Sequence, residues 1–195
     1  MAKSTDIRVV GTQLFFLPVE TRVPLKFGPE TLTHVTCARA RLTVQLADGR
    51  TANGWGETPL SVQWVWPSAL PYEPRHEALK EFCQHLAKAW SEFDAIGHPL
   101  ELGHDFQQTE LPRLLAEFNQ GQAADEPIPW LAALVCCSLF DIALHDALGQ
   151  TLGQATYDTY SAEYLSRDIG QFLQPAAGSN VQFDGRFPSE FLNPE

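Results

Sequence analysis

The stretch Leu42-Thr43-Val44-Gln45-Leu46-Ala47-Asp48-Gly49, continued by Gly54-Trp55-Gly56-Glu57, decides the fold of this chain. Apolar and polar side chains alternate up to Leu46, which is the pattern of a strand with one buried face. Asp48-Gly49 supplies the left-handed backbone angles of a tight turn, and residues 50–55 return antiparallel. The stretch therefore predicts a β-hairpin whose second strand ends at Gly54-Trp55-Gly56-Glu57.

Two irregular stretches flank this hairpin. Residues 7–16 are rich in Val, Ile and Phe and predict an earlier strand, after which Pro18 breaks the pattern. Residues 20–33 are polar and contain Pro and Gly, so we expect a long loop there. Residues 58–74 carry four prolines and predict a second irregular stretch that is not a regular helix.

Helical periodicity dominates the second half of the chain. Apolar residues at positions 79, 82, 83, 86 and 90 predict an amphipathic helix, and a shorter helix is expected from about Glu110 to Gly121. Residues 130–148 predict a largely buried helix capped by Gly149. The predicted fold class is α+β: a three-stranded antiparallel meander followed by a helical bundle. Residues 161–195 contain one short apolar piece, 169–173.

Composition limits the classes of function. The 195 residues are 44% hydrophobic and 19% charged, which predicts a folded domain, and the net charge of -11 without a basic cluster disfavours nucleic-acid binding. Cys37, Cys83, Cys136 and Cys137 show no metal-ligand spacing and predict core residues of a reduced, cytoplasmic protein. No signal peptide and no apolar run of about 20 residues is evident, so a membrane partner is not expected.

Catalytic motifs are not evident in the sequence. His76-Glu77 lacks the second His of a zinc-protease helix, and Gly54-x-Gly56 lacks the third Gly of a dinucleotide loop. His104-Asp105 favours a loop or helix-entry pair over an acid/base pair. Asp141, His145 and Asp146 lie on one apolar helix. Two interpretations are open: they are catalytic residues, or they are polar groups that tie neighbouring backbone together. We favour the second interpretation.

Two segments carry a family resemblance: the hairpin stretch, continued by Thr58-Pro59, and Ser138-Leu139-Phe140-Asp141-Ile142-Ala143-Leu144-His145-Asp146-Ala147-Leu148-Gly149. Together they resemble the N-terminal half of the enolase superfamily. The closer resemblance is to its mandelate racemase and muconate lactonizing branch. It implies that residues 1–160 form a capping domain over the mouth of a (β/α)8 barrel. Residues 161–195 would then be a linker or the start of a barrel, which needs about 200 to 250 residues when intact.

The resemblance implies that chemistry takes place in the barrel. There a Lys or His abstracts the proton next to a substrate carboxylate, and a magnesium ion held by three acidic residues stabilises the product of that step. Nothing after Tyr160 supplies such a base or serially spaced acidic strand ends. No catalytic or metal residue is therefore assigned to this chain, which we expect to bind no cofactor and to be inactive by itself.

The resemblance also assigns two segments, residues 22–34 and 58–67, to the part of the lid that shapes the pocket for the distal end of the substrate. Within them Lys26, Phe27, Glu30, Trp64 and Trp66 have the most binding potential, because aromatic rings offer apolar area and Lys or Glu meets a charged group. Packing of the segments themselves is the equally weighted alternative. We interpret Trp55 and Glu57 as structural.

Two functions remain open from the sequence. The first is the lid of a magnesium-dependent racemase, cycloisomerase or dehydratase with a small carboxylate as substrate. That function predicts an exposed apolar, barrel-facing surface and a tendency to form homo-oligomers. The second is a non-enzymatic binding or assembly module that reuses the capping fold, and a third, weaker alternative is an unrelated α+β domain.

Overall fold

The computed structural model describes residues 3–27, 30–121 and 126–192. Three strands come first and five helices follow. They are β1 (Ile7–Phe27), β2 (Glu30–Leu46), β3 (Thr51–Pro59), α1 (Val62–Val65), α2 (Tyr72–Glu92), α3 (Pro99–Gln108), α4 (Glu110–Gly121) and α5 (Trp130–Leu152). Three short 3-10 turns complete the described part: Thr156–Thr159, Ile169–Gln171 and Pro188–Glu190.

The three strands form one antiparallel sheet in the order β1-β2-β3. Leu42 of β2 pairs with Thr12 on one side and with Gly54 on the other, so β2 is the central strand. Gly49, in the turn after β2, has a φ of 88°. This is the left-handed backbone angle that the Asp48-Gly49 pair predicts. The predicted α+β meander followed by helices is confirmed.

β1 extends much further than the sequence indicated. Pro18 pairs with Thr36, Leu25 with Leu32 and Lys26 with Thr31, so the loop predicted at residues 20–33 is wrong. β1 is an edge strand, and an edge tolerates a proline because one row of its amides needs no partner. We call residues 19–27 and 30–35 the ribbon. Its register shifts between Glu20 and Leu25.

The core lies between the sheet and the helices. α5 packs against β3 and β2, and α2 packs against β1. Ala40, Leu42 and Val44 are fully buried on the helix side of β2, as the alternation predicted. On α2 the helical stripe supplies a second row of fully buried side chains: Leu79, Phe82, Cys83, Leu86 and Trp90.

The two glycines of β3 allow α5 to approach the strand closely. A Cβ on Gly54 would overlap the carbonyl oxygen of Ala143, and one on Gly56 would overlap the carbonyl oxygen of Leu139. The sheet and the helix therefore meet backbone to backbone, which only glycine permits at these two positions.

Helix boundaries differ from prediction in several places. Residues 58–74, predicted to be irregular, contain the short helix α1 and the start of α2 at Tyr72, because the first turn of a helix tolerates Pro74. α3 was not predicted, and the His104-Asp105 pair lies inside it and not in a loop or at a helix entry. α5 continues through Gly149 to Leu152, and Gly153, with a φ of 68°, is the residue that caps it. The interior Gly149 costs the helix some stability but does not end it.

The segment after α5 is held against α3. The guanidinium of Arg167 donates to both carboxylate oxygens of Asp105, at 2.7 and 2.6 Å. The buried carboxylate of Glu101 accepts the backbone N–H groups of Ser166 and Arg167, each at 2.7 Å. Buried Ile169 falls in the predicted apolar piece, which forms a 3-10 turn.

All four cysteines are free and buried, as expected of core residues. Among residues 3–27, 30–121 and 126–192, α5 is the one helix long and apolar enough by composition to cross a bilayer. Just over half of its most apolar window, 56%, is buried inside the fold, and core helices of soluble proteins pass the same test.

Candidate functional site

A groove opens where the ribbon meets the start of α2. Its cavity volume is about 470 Å³. Three elements line it: β2 with Thr31, Leu32, Thr33 and His34, α1 with Gln63, and α2 with Tyr72 and Glu73. The two segments interpreted as a lid, residues 22–34 and 58–67, thus both contribute to one groove although a whole hairpin separates them in the chain.

Backbone contacts bring α1 to the ribbon. The N–H of Leu60 donates to the carbonyl oxygen of Thr36 at 2.8 Å, which prolongs the sheet by one residue beyond β3. The N–H groups of Trp64 and Val65 then donate to the carbonyl oxygen of Ser61, at 3.0 and 3.1 Å. This single helical turn places Gln63 beside β2.

The first turns of α2 form the wall of the groove and are tied to β2. His76 is hydrogen-bonded through Nε2 to Oγ1 of Thr36 at 2.9 Å. The ring of Tyr72 stacks on that of His76, with centroids 5.4 Å apart. Burial lowers the pKa of His76, and the nearby Lys80 lowers it further, so the imidazole is neutral near pH 7.

Arg75 fixes the segment between α1 and α2. It is buried, with 2% of its surface exposed, and its Nη1 donates to the carbonyl oxygen of Trp66 at 2.5 Å. Its Nε donates to the carbonyl oxygen of Pro71 at 3.2 Å. These bonds satisfy two backbone acceptors in a proline-rich segment that has no helix or sheet partners for them.

The groove offers hydrogen-bonding groups of several kinds. His34 contacts Oγ1 of Thr33 through Nδ1 at 2.8 Å, and its Nε2 lies 3.9 Å from a carboxylate oxygen of Glu20. The amide oxygen of Gln63 is buried and has no hydrogen-bond partner among the described residues. The arrangement therefore suits binding of a polar group.

The described residues do not fit a metal centre. No group of three or more His, Cys, Asp or Glu side chains lies close enough to hold a metal ion within residues 3–27, 30–121 and 126–192. We therefore derive no metal-dependent step from this chain's own residues.

The residues predicted to bind substrate lie in different parts of the structure. Lys26 is exposed and pairs with Thr31, which lines the groove. Trp64 is 54% exposed beside Gln63, whereas Trp66 is 3% exposed and packs in the core. A buried indole does not line the groove, so for Trp66 the packing alternative holds. Phe27 and Glu30 pair as the last and first residues of β1 and β2, but their side chains lie outside the described part.

Sequence reasoning missed part of the groove. Gln63, Tyr72 and Glu73 were not singled out, because α1 is only four residues long and the start of α2 coincides with prolines. The Tyr72 and His76 pair, four residues apart, is the signal that would have indicated an aromatic wall at the start of α2.

Two side chains of the polar cluster on α5, those of Asp146 and His145, bind backbone groups. The backbone N–H of Trp55 donates to Oδ2 of Asp146 at 2.7 Å, and Nδ1 of His145 bonds the carbonyl oxygen of Asp141 at 2.9 Å. Burial raises the pKa of Asp141, and the charge of His145 opposes that rise. The favoured interpretation, polar side chains that tie neighbouring backbone together, agrees with these contacts.

Comparison with known proteins finds similarity in solved structures alone; no family model and no curated protein matches. The L-Ala-D/L-Glu epimerase from Bacillus subtilis matches at 16% identity and a TM-score of 0.49, over 79% of this chain and 34% of the other. A mandelate racemase/muconate lactonizing enzyme-like protein from Rubrobacter xylanophilus matches at 18% identity and a TM-score of 0.41, over 78% and 33%.

A third match is the L-talarate dehydratase from Polaromonas, in complex with Mg and L-glucarate, at 12% identity and a TM-score of 0.43. It covers 85% of this chain and 41% of the other. The description of the Rubrobacter protein names the branch that the sequence motifs resemble. The chain spans about a third of the length of the Bacillus and Rubrobacter proteins.

Proposed function

We propose that this chain is the substrate-specificity lid of a magnesium-dependent enolase-superfamily enzyme that removes the proton next to a carboxylate. Residues 1–160 form the capping domain, and residues 161–195 lead towards the barrel. The parent enzyme is a racemase, cycloisomerase or dehydratase of a small carboxylate, and the chain alone has no turnover.

One observation carries the assignment. The two sequence motifs that resemble the family pack directly on each other: Gly54 and Gly56 of β3 lie against the backbone of α5, and Asp146 of α5 accepts the N–H of Trp55. The residues that make the two stretches recognisable are those that join strand to helix. This supports the view that they are one structural unit and not two chance resemblances.

The lid role is supported by the groove. The ribbon and α1 come from the two segments that the family resemblance assigns to the pocket, and they meet where Thr31, His34 and Gln63 present hydrogen-bonding groups. In this proposal the chain binds and orients the distal end of the substrate and limits its access to water. The barrel supplies the base and holds the magnesium ion.

Two exposed apolar side chains support a surface that is covered in the complete protein. Val23 on the ribbon is 63% exposed, and Ile142 on the outer side of α5 is 47% exposed. A two-stranded ribbon is only marginally stable without further packing. Both features are typical of surfaces that another domain or a second copy covers.

The experiment is a kinetic comparison, in the full-length enzyme, of a variant in the groove, at Gln63, and a variant beside it, at Trp64. Gln63→Ala and Trp64→Ala are expected to raise KM at least about fivefold for substrates with a long polar distal end while kcat changes little, because uniform binding is what is lost. Tyr157→Ala, an exposed aromatic outside the groove, is the matched control. Equal effects of all three variants, or a loss of kcat alone, would contradict the lid role.

A further inference from the structure

The sheet has an open face opposite α5 and α2. Cross-strand pairing places its side chains in rows, among them Phe15–Arg39–Glu57 and Gln13–Arg41–Trp55. Phe15 and Trp55 are 41% and 44% exposed although both are large and apolar. A sheet face in water normally carries polar residues. An isolated apolar residue on such a face needs no explanation. On this face, however, two aromatic rings lie together.

The aromatic rings and Arg41 form one cluster. The centroids of Phe15 and Trp55 are 6.0 Å apart, and the guanidinium carbon of Arg41 lies 5.8 Å from the Trp55 ring centre. A guanidinium over an indole is held in place while the edge of its planar fork stays available to a carboxylate. The Nε of Arg41 is buried without a hydrogen-bond partner among the described residues.

The open face carries positive charge on an acidic chain. Arg8, Arg39 and Arg41 lie on it, and the net charge of the chain is -11. Arg39 is neutralised by Glu57, whose carboxylate is 2.6 Å from Nε. Arg8 donates to the amide oxygen of Gln45 at 2.7 Å, and in the described part of the chain no carboxylate pairs with Arg8 or Arg41.

A hollow lies beside Trp55. It has a volume of about 360 Å³ and is lined by Arg39, Trp55, Gly56, Glu57 and Ile142. The indole of Trp55, the side chain of Ile142 and the backbone at Gly56 offer apolar area to an anchor, and the ion pair of Arg39 and Glu57 forms the remaining wall. Because Ile142 belongs to α5, the hollow lies at the β3 edge of the sheet, next to the cations of the open face and not on that face itself.

We propose that the open face of the sheet is a docking surface for an acidic polypeptide segment that carries an aromatic or aliphatic anchor. Carboxylates of the segment pair with Arg41 and Arg8, and the anchor enters the hollow beside Trp55. Arg and Trp are the residues that most often dominate binding energy at protein interfaces. This inference does not depend on the lid function.

Charge and size select this occupant over others. A second copy docking by the same face would oppose the unpaired arginines of both copies. The open face is three strands wide, with strands about 4.8 Å apart, and five rows of side chains long, with rows about 6.8 Å apart. Its area is therefore roughly 400 to 500 Å². Stable globular interfaces need about 800 Å² per partner, so a short segment with weak affinity fits better.

The test is fluorescence anisotropy with a labelled peptide of glutamates around a central tryptophan, and a lysine peptide of the same design for comparison. The net charge alone would favour the lysine peptide, so preference for the glutamate peptide is the discriminating result. We expect the glutamate peptide to bind at low salt, and to bind several-fold more weakly at about 0.2 M salt because the contacts are exposed.

Variants assign the binding to the face. Arg41→Gln and Trp55→Ala are each expected to weaken binding at least about fivefold, and Arg8→Gln less. Arg113→Gln, which removes the same charge from α4, is the matched control and should leave binding unchanged. Preference for the lysine peptide, an equal loss with Arg113→Gln, or self-association through this face that Arg41→Gln abolishes would overturn the proposal.

Discussion

The backbone N–H of Trp55 and Oδ2 of Asp146 are 2.7 Å apart, and this bond joins the free edge of β3 to α5. Trp55 is separated from Asp146 by 91 positions in the chain, so the bond fixes a long-range contact. It also occupies one edge amide that would otherwise be open to pairing with another strand.

Removal of this acceptor is expected to destabilise the fold moderately. Asp146→Ala leaves the Trp55 N–H without its charged acceptor, and we expect a loss of about 1 to 2 kcal/mol in the free energy of unfolding. Urea denaturation measures it. Asp158→Ala, at an exposed aspartate after α5, is the control and should change the midpoint little. Equal midpoints for both variants would contradict the role of the bond.

The glycines of β3 are predicted to be irreplaceable. Gly56→Ala places a methyl group on the backbone of Leu139, and the helix has to move away, so we expect a loss of at least about 3 kcal/mol. Gly11→Ala in β1 is the matched control, because the new methyl would meet Thr43 at 3.6 Å, an ordinary contact. Thermal unfolding distinguishes them; similar melting temperatures would show that α5 does not lie as close as described.

Buried His98 makes stability depend on pH. It is the N-cap of α3: its Nδ1 accepts the N–H of Leu100 at 3.1 Å, and Nε2 contacts Oγ1 of Thr159 at 2.9 Å. A neutral ring with its proton on Nε2 satisfies both bonds. Burial, and then the neighbouring His145, lower the pKa of His98 to about 3.

The sign of the effect follows from proton binding. Between pH 6.5 and about 3 the unfolded chain binds a proton at this position that the folded protein does not, so stability falls as pH falls through that window. His98→Asn keeps a capping side chain but does not titrate. Between pH 6.5 and 5 the free energy of unfolding of this variant should decline less steeply than that of the wild type. The difference between the two slopes should be up to about 1.4 kcal/mol per pH unit. Parallel profiles would mean that His98 is solvated.

The ion pair of Arg167 and Asp105 makes the stability of the fold depend on pH in a second, more acidic range. Hydrogen bonds from Arg167 lower the pKa of Asp105, so the pair stabilises the fold above the ordinary pKa of 3.8 and the contribution is lost as pH falls below it. Both groups are partly exposed, so Asp105→Asn should cost only about 0.5 to 1 kcal/mol at neutral pH. Chemical denaturation at pH 7 and near pH 2.5 tests this; a constant difference would contradict it.

The local parts of the fold were predictable from the sequence. The β2 and β3 hairpin, the apolar stripe of α2 and the apolar helix α5 follow from short-range periodicity, and the structure has all three. The ribbon was missed because its two halves have little alternation, Pro18 directly precedes it and Pro24 lies within it. Edge strands tolerate both features, and only tertiary pairing shows that the chain is extended there.

The candidate site was predictable only in part. A family resemblance assigned two segments to a proposed lid, but it did not indicate that Thr31 and Gln63 line one groove or that Trp66 is buried. Trp64 and Trp66 are two residues apart, and in a helical turn such residues do not share a face, so one is exposed and the other packs inward. The walls added by Tyr72 and Glu73 come from packing of α2, which no local pattern specifies.

The most direct test of the proposed function is incorporation of solvent deuterium next to the carboxylate of a panel of small carboxylates, measured by NMR. The full-length enzyme with magnesium is predicted to exchange that proton in at least one of them and to stop when EDTA is added. The 195-residue chain alone is predicted to exchange none. Exchange by the chain alone, or exchange by the full-length enzyme that EDTA does not affect, would contradict the account.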